Sequence, residues 1–243
     1  AGDLVGIING CDYSDWDPST DPHLEVRYNI NSLEQKALGK QLLQKELGLP
    51  IGDIPMYGMV ARLTDQKGVG ILIPILEEFL RHRVQVVIEG TGDPALEHQM
   101  HEIAKRHPDK MVFRSVYDNT LAHRIEAASD FFLMPSIFEP CGLNQMYSLA
   151  YGTLPIVRGV GGLRDTVINY DDNPEQGNGF IFWDPNAGAL LSCLRRTLIF
   201  YLEAPEEMKR LRHNAMKVRF SWADSCAKYE QLYADALTKP KWW

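Results

Sequence analysis

The chain has 243 residues, with Lys plus Arg 25 against Asp plus Glu 32 and a formal net charge of −7. With 45% hydrophobic and 23% charged residues it is an ordinary globular mixture, long enough for one large domain or two small ones, which excludes a disordered chain. The acidic balance argues against a general nucleic-acid binder, yet leaves room for a local anion site built from a few donors.

Residues 1–31 are punctuated by Gly2, Gly6, Gly10, Pro18, Pro22 and several Asp, and are expected to be irregular. A helix follows, with Ser32 as its expected cap, Gln35 completing a capping box and Gly48 as its stop. Apolar runs at 56–61, 84–88, 111–116, 131–134, 154–157 and 179–183 predict strands. Helical spacing predicts helices at 69–79, around Leu96–Ala104, at 121–128 and at 143–150. The pattern then turns all-helical, over about 187–202, 206–218 and 222–237, the last capped by Ser221 with Asp224. Alternating strands and helices, with strands apolar throughout, predict a doubly wound α/β parallel sheet, Rossmann-like, with a helical C-terminal extension.

Cys11, Cys141, Cys193 and Cys226 form no CxxC pair, so a zinc knuckle, a redox pair and a disulfide scaffold are all unsupported and free thiols are expected. No signal-type segment and no apolar run near ~18 residues occurs, so a soluble chain without a membrane partner is expected. The start at Ala1 fits a processed chain or a piece of a longer one. His101-Glu102 begins a metalloprotease motif that Lys105 breaks, and the other histidines, His23, His82, His98, His107, His123 and His213, read as lying mostly on helix or loop surfaces and carry no motif.

In a doubly wound sheet, ligands sit at the carboxyl ends of the strands. The polar residues just after each strand are Arg62, Thr64, Asp65, Lys67 and Gly68; Glu89 to Asp93; Tyr117 and Asp118; Ser136, Glu139, Pro140 and Gly142; and Arg158, Gly161 and Gly162. All five loops are expected to open onto one crevice. Arg62 and Lys67 suit a diphosphate, the one as a fork and the other as a point charge. Glu139, followed by Pro140 and by Gly142 at a helix start, sets a carboxylate beside backbone N–H groups, fit to hold sugar hydroxyls and phosphate respectively. Cys141 has no base beside it in sequence and reads as a small buried side chain rather than a nucleophile. Gly90-Thr91-Gly92 opening a helix, with Asp118 after the next strand, matches a dinucleotide fingerprint, and keeps a NAD-dependent dehydrogenase open. A tight turn with Asp93 as helix cap is the simpler reading. Gly161 and Gly162 suggest close backbone approach to a ligand.

The stretches GIINGCDYSDWDPSTD, ARLTDQKG, PSIFEPCGLNQMYSLAYGTLPIV and GVGGLRDTV closely resemble the bacterial glycogen synthases and plant starch synthases, retaining glucosyltransferases of the GT-B architecture. The resemblance runs along nearly the whole chain and covers only the C-terminal half of such an enzyme. It implies an organisation of an inter-domain segment at 1–31, a nucleotide-sugar domain at 32–220 and a C-terminal helix at 221–243 that braces a missing N-terminal domain. It implies catalytic roles for Arg62, Lys67 and Glu139, the first two on the donor diphosphate and the third beside the transferred glucose. Donor-binding positions are implied for Asn9, Tyr117 (flanking adenine), Cys141, Gly142, Leu143, Asn144, Gly161 and Gly162. Asn144 and Val160 each stand where the family often has Thr, and Tyr147 stands where many other retaining GT-B enzymes have a second glutamate. The implied reaction transfers glucose from ADP-glucose to the non-reducing end of an α-1,4-glucan with retention and without a metal or other cofactor, in the cytoplasm, or in a plastid for a plant protein. By itself the chain is expected to bind ADP or ADP-glucose and to be inactive. A non-catalytic nucleotide- or glucan-binding module is the other reading left open.

Overall fold

The strands are β1 (Met56–Val60), β2 (Gln85–Glu89), β3 (Met111–Arg114), β4 (Phe131–Met134), β5 (Leu154–Arg158) and β6 (Phe180–Phe182). In the computed structural model, which describes residues 4–238, they pair in parallel into one sheet of order β3-β2-β1-β4-β5-β6. The connecting helices are α2 (Val69–Phe79), α3 (Pro94–Arg106), α4 (Asn119–Ala128), α5 (Asn144–Ala150) and the short α6 (Gly161–Thr166), with α1 (Lys36–Leu47) preceding β1. Strand order reverses between β1 and β4, and there the connecting helices diverge and leave a crevice at the carboxyl edge.

Alternation along the strands sends side chains to two apolar faces, as burial on both sides requires. Tyr57, Met59, Phe131, Leu133 and Ile156 pack with Leu72, Leu76, Phe79 and Phe180 on one side; Met56, Val87, Phe132 and Val157 pack with Ile125 and Leu163 on the other. α7 (Ala187–Glu203) and α8 (Pro205–Lys217) close the first face with Leu190, Leu194 and Leu211.

The helix starting near residue 32 forms without the expected capping box. Ser32 Oγ instead accepts from the Asn29 N–H at 2.9 Å, because a 3-10 turn at Leu33–Gln35 precedes α1. Gly48 ends α1 at φ 73°, as the sequence implies.

The irregular N-terminal segment, described from Leu4, is folded onto the sheet domain. Tyr28 Oη donates to the Tyr151 carbonyl at 2.8 Å, and Phe220 N–H donates to Tyr13 Oη at 2.9 Å. Cys11 N–H donates to the Phe220 carbonyl at 2.7 Å. The final helix α9 (Trp222–Thr238) is capped by Ser221 Oγ, which accepts the Asp224 N–H at 3.1 Å, and is held by Ser225 Oγ donating to the Ile8 carbonyl at 2.7 Å. Ser225 is its one buried residue among those described, and Trp222, Tyr233 and Leu237 are exposed. The residues 1–3 and 239–243 of the expected terminal segments lie outside the described residues. Among the described residues no helix is long and apolar enough to cross a membrane.

At the opposite, amino edge of the sheet, Asp130 is buried between Lys40 Nζ at 2.6 Å and an Arg212 nitrogen at 2.5 Å, and it also accepts the Met56 N–H at 2.8 Å. Burial pushes its carboxyl up, but the two cations and these hydrogen bonds outweigh burial and hold it below the usual carboxylate range. This triad fixes the start of β1 and β4, the strands whose far ends carry the crevice.

Candidate active site

The loop after β1 turns tightly through Asp65–Lys67 and reaches Gly68 at φ 75°. A Cβ on Gly68 would lie 1.9 Å from the Pro135 carbonyl oxygen, so only glycine lets this loop press against the exit of β4. Two further hydrogen bonds staple the loops: Ile137 N–H donates to the Gln66 carbonyl at 2.8 Å, and Gln66 Nε2 donates to the Phe138 carbonyl at 3.2 Å. The consequence is that Lys67 Nζ meets Glu139 Oε2 at 2.6 Å, with Ser136 Oγ donating to the same oxygen at 3.2 Å. From the far side Arg158 Nε donates to the Ser136 carbonyl at 2.8 Å.

Two adjoining cavities lie over this edge. The first, about 350 Å³, is lined by Asn9, Arg62, Lys67, Ser136, Glu139 and the run Cys141–Asn144. The second, about 490 Å³, is lined by Asp15, Trp16, Arg62, Tyr117, Glu126 and Tyr147. Arg62, Leu143 and Asn144 belong to both, so the cavities are two ends of one groove with Arg62 between them. The Arg62 guanidinium is exposed and has no ion-pair or hydrogen-bond partner among the described residues.

Nine of the eleven expected site residues thus face one groove: Asn9, Arg62, Lys67, Glu139, Cys141, Gly142, Leu143 and Asn144 at one end, with Tyr117 at the other. Gly161 and Gly162 line neither cavity. A Cβ on Gly161, at φ 47°, would lie 2.1 Å from the Glu139 carbonyl oxygen, and the Gly162 N–H is donated to the Glu139 and Pro140 carbonyls. Both glycines pack against the backbone of the loop that carries Glu139. Asn144 Nδ2 donates to the Val60 carbonyl at 2.8 Å, fastening α5 to the end of β1. Burial raises the Cys141 thiol, with the charge of Glu139 adding to it, which leaves Cys141 a poor nucleophile.

At Gly90-Thr91-Gly92 the simpler reading, a tight turn with Asp93 as helix cap, is the one observed. Added Cβ atoms on Gly90 and Gly92 would lie 1.8 and 2.2 Å from the carbonyl oxygens of Ala61 and Leu63, so these glycines serve packing between two loops. Asp93 caps α3, accepting Ala95 N–H at 2.8 Å, and Asp118 caps α4, accepting Thr120 N–H at 2.9 Å. Both helix starts are already occupied by carboxylates.

Several groove residues were missed by sequence reasoning. Trp16 stacks on Tyr147 with ring centroids 3.9 Å apart, forming an aromatic wall from distant segments. Gln145, fully buried, donates to the Cys141 and Gly142 carbonyls at 3.0 Å each, and so shapes the loop beside Glu139. Glu126 lines the second cavity; burial pushes its carboxyl well above the usual range, and one of its oxygens accepts from Ser148 Oγ at 2.7 Å. The one sequence signal that could have found it is the spacing of Glu126 on an otherwise buried face of α4. The expectation that the histidines lie mostly on surfaces does not hold for His123, which is fully buried under Trp16.

A parallel sheet with this switch-point groove, cationic at its centre and aromatic at one end, defines an α/β domain of the doubly wound class. The model of the family "Glycosyl transferases group 1" matches residues 45–218, and the chain belongs to that family. It is 57% identical to the glycogen synthase of Aeromonas hydrophila over 239 residues, covering 98% of this chain and 49% of that protein. It is 54% identical to the glycogen synthase of Photobacterium profundum, covering 96% of this chain and 46% of that protein. The catalytic domain of starch synthase IV from Arabidopsis thaliana, bound to ADP and acarbose, superposes with a TM-score of 0.90 at 37% identity, over 97% of this chain and 49% of that one. The chain spans about half the length of the relatives it matches.

Proposed function

We propose that this chain is the donor-binding, C-terminal half of an α-1,4-glucan synthase, which takes glucose from ADP-glucose and adds it, with retention, to the non-reducing end of a glucan. The observation that carries the reading is the shared groove: Arg62 joins an aromatic end, fit for a nucleobase, to an end holding Lys67 and Glu139, fit for a sugar diphosphate. The ADP bound to the starch synthase neighbour and the names of the bacterial relatives support it.

In this reading the adenine lies at the Tyr117 and Trp16 end and the diphosphate beside Arg62 and Lys67. The glucose then lies toward Glu139, near Asn9. The difficult step is departure of ADP from the anomeric carbon, which puts negative charge on the diphosphate and leaves oxocarbenium character on the sugar. Arg62 and Lys67 stabilise the first; removing one such donor typically costs about 3 kcal/mol of transition-state stabilisation. The proposal gives this work to side chains and assigns no metal to the reaction. Glu139 holds sugar hydroxyls and faces the developing cation. The acceptor glucan requires the second half of the enzyme, which α9, with its exposed Trp222, Tyr233 and Leu237, would help to hold. A cytoplasmic setting goes with the bacterial relatives.

Calorimetric titration of the chain with ADP-glucose, UDP-glucose and NADH tests the donor assignment. Saturable binding of ADP-glucose that Arg62→Ala removes is expected; preference for NADH would overturn it. Glucan elongation is expected only when the N-terminal half is present.

A further inference from the structure

The cluster around His123 lies beside the groove, and the proposed reaction does not use it. Asp15, His23 and His123 each offer one ligand atom, and those atoms lie within 4.8 Å of one another. His123 is fully buried, and its orientation is fixed from two sides. Its Nδ1 bonds Asp21 Oδ2 at 2.8 Å, and Tyr151 Oη donates to that same oxygen at 2.5 Å, so Asp21 holds the Nδ1 proton. Trp16 covers one ring face, with centroids 3.7 Å apart.

The Asp21 carboxylate takes up Nδ1 and leaves Nε2 as the ring nitrogen available to a ligand. That nitrogen is buried without a hydrogen-bond partner, and it points toward Asp15 Oδ2 at 3.9 Å. An imidazole nitrogen and a carboxylate facing across such a gap make no direct hydrogen bond, and a cation placed there satisfies both. His23 stands beside them, its ring centroid 4.6 Å from that of His123. A carboxylate that orients an imidazole through its other nitrogen is the usual support of a metal-bound histidine. Two imidazoles and one carboxylate are the donor set of an open zinc site, with a fourth position left to solvent. Asp15 is exposed, so its carboxylate can swing toward Nε2, while the half-buried His23 ring lies against Thr120 Oγ1 at 3.1 Å and Asn119 Nδ2 at 3.4 Å, one of which a bound cation would replace.

We propose that Asp15, His23 and His123 form a binding site for a zinc-class divalent cation, with Asp21 and Tyr151 as positioning residues, at the rim of the aromatic end of the groove.

Untagged chain would be titrated with Zn²⁺ in competition with a chromophoric chelator, and with Co²⁺ by visible absorption. One equivalent bound with a tetrahedral Co²⁺ spectrum is expected, and Asp15→Ala or His23→Ala should each weaken binding about tenfold or more. His98→Ala, on the exposed face of α3, should leave binding unchanged. His123→Gln removes a buried side chain and is subject to misfolding, so the two more accessible positions carry the test, with circular dichroism verifying their fold. Absence of saturable binding, or binding that survives Asp15→Ala and His23→Ala, or binding that is lost in His98→Ala instead, would overturn the assignment.

Discussion

Lys67 Nζ lies 2.6 Å from Glu139 Oε2, across two loops that leave different strands. The carboxylate is nearly buried and the ammonium only partly so, which makes Lys67 the more adjustable member of the pair. A diphosphate entering the groove meets an ammonium already shared with an acid. On the proposed reading, removing the acid should affect nucleotide binding and sugar transfer differently. In Glu139→Gln, ADP affinity should be unchanged or higher, while glucose transfer by the two-domain enzyme should collapse. Calorimetry and a radiolabel transfer assay measure the two; a tenfold loss of ADP affinity in this variant would contradict the placement of Lys67.

Arg62 has no partner to lose among the described residues, so its replacement should report on ligand alone. Arg62→Ala should keep the melting temperature within the small range typical of surface changes and weaken ADP binding at least tenfold, about 1.4 kcal/mol or more. Near-normal ADP affinity would remove the guanidinium from the diphosphate site.

Gly68 and Gly161 both have positive φ, and at each an added methyl would sit within 2.1 Å of a backbone oxygen. Gly68→Ala and Gly161→Ala should each destabilise by about 1–3 kcal/mol, and each should weaken donor binding through displacement of the loop bearing Glu139. Thermal unfolding with parallel ADP titration checks this; unaltered stability would show that these loops relax freely.

Glu89 ends β2 with one carboxylate oxygen accepting the Asp118 N–H at 2.6 Å and the other unpartnered. Burial pushes its carboxyl from 4.5 to about 7. Between those values the folded chain holds a proton that the unfolded chain has released, so this residue's contribution to stability declines as pH rises across that window. Below 4.5 both states hold the proton and the residue adds no slope. Glu89→Gln should flatten stability over that range and stabilise the chain above pH 7 by on the order of 1 kcal/mol. Denaturant melts at several pH values decide it; an unchanged slope would mean that the carboxyl is solvated.

Asp130 neutralises Lys40 and Arg212 in a buried triad. Asp130→Asn should destabilise by about 3–5 kcal/mol, because it strands two cations, whereas the wild type should lose the triad's contribution only as pH falls through the lowered folded value. Loss of less than 1 kcal/mol in urea melts would mark the triad as solvated.

Much of the architecture was legible in one dimension. The strand and helix boundaries fell within a few residues of expectation because uniformly apolar strands and helical spacing are local signals. The cap at Ser32 failed because its hydroxyl found Asn29, a competing local acceptor arrangement that spacing alone does not rank. Arg62, Lys67 and Glu139 were found because a sheet of this class places strand-end residues together whatever their separation in sequence. The same rule brings Gly161 and Gly162 to that edge, but it does not specify that they pack against the Glu139 loop.

From its order of residues alone the chain determines a parallel sheet, its carboxyl-edge loops and the charges those loops carry, because these depend on hydrophobic period and on turn chemistry. Three-dimensional packing alone decided that Lys67 is paired to Glu139, that Trp16 stacks with Tyr147 and His123, and that His123 is buried beside Asp15 and Asp21. Each of these contacts joins segments dozens of residues apart, and their distance and angle are set by how loops pack over the sheet, which no local pattern encodes.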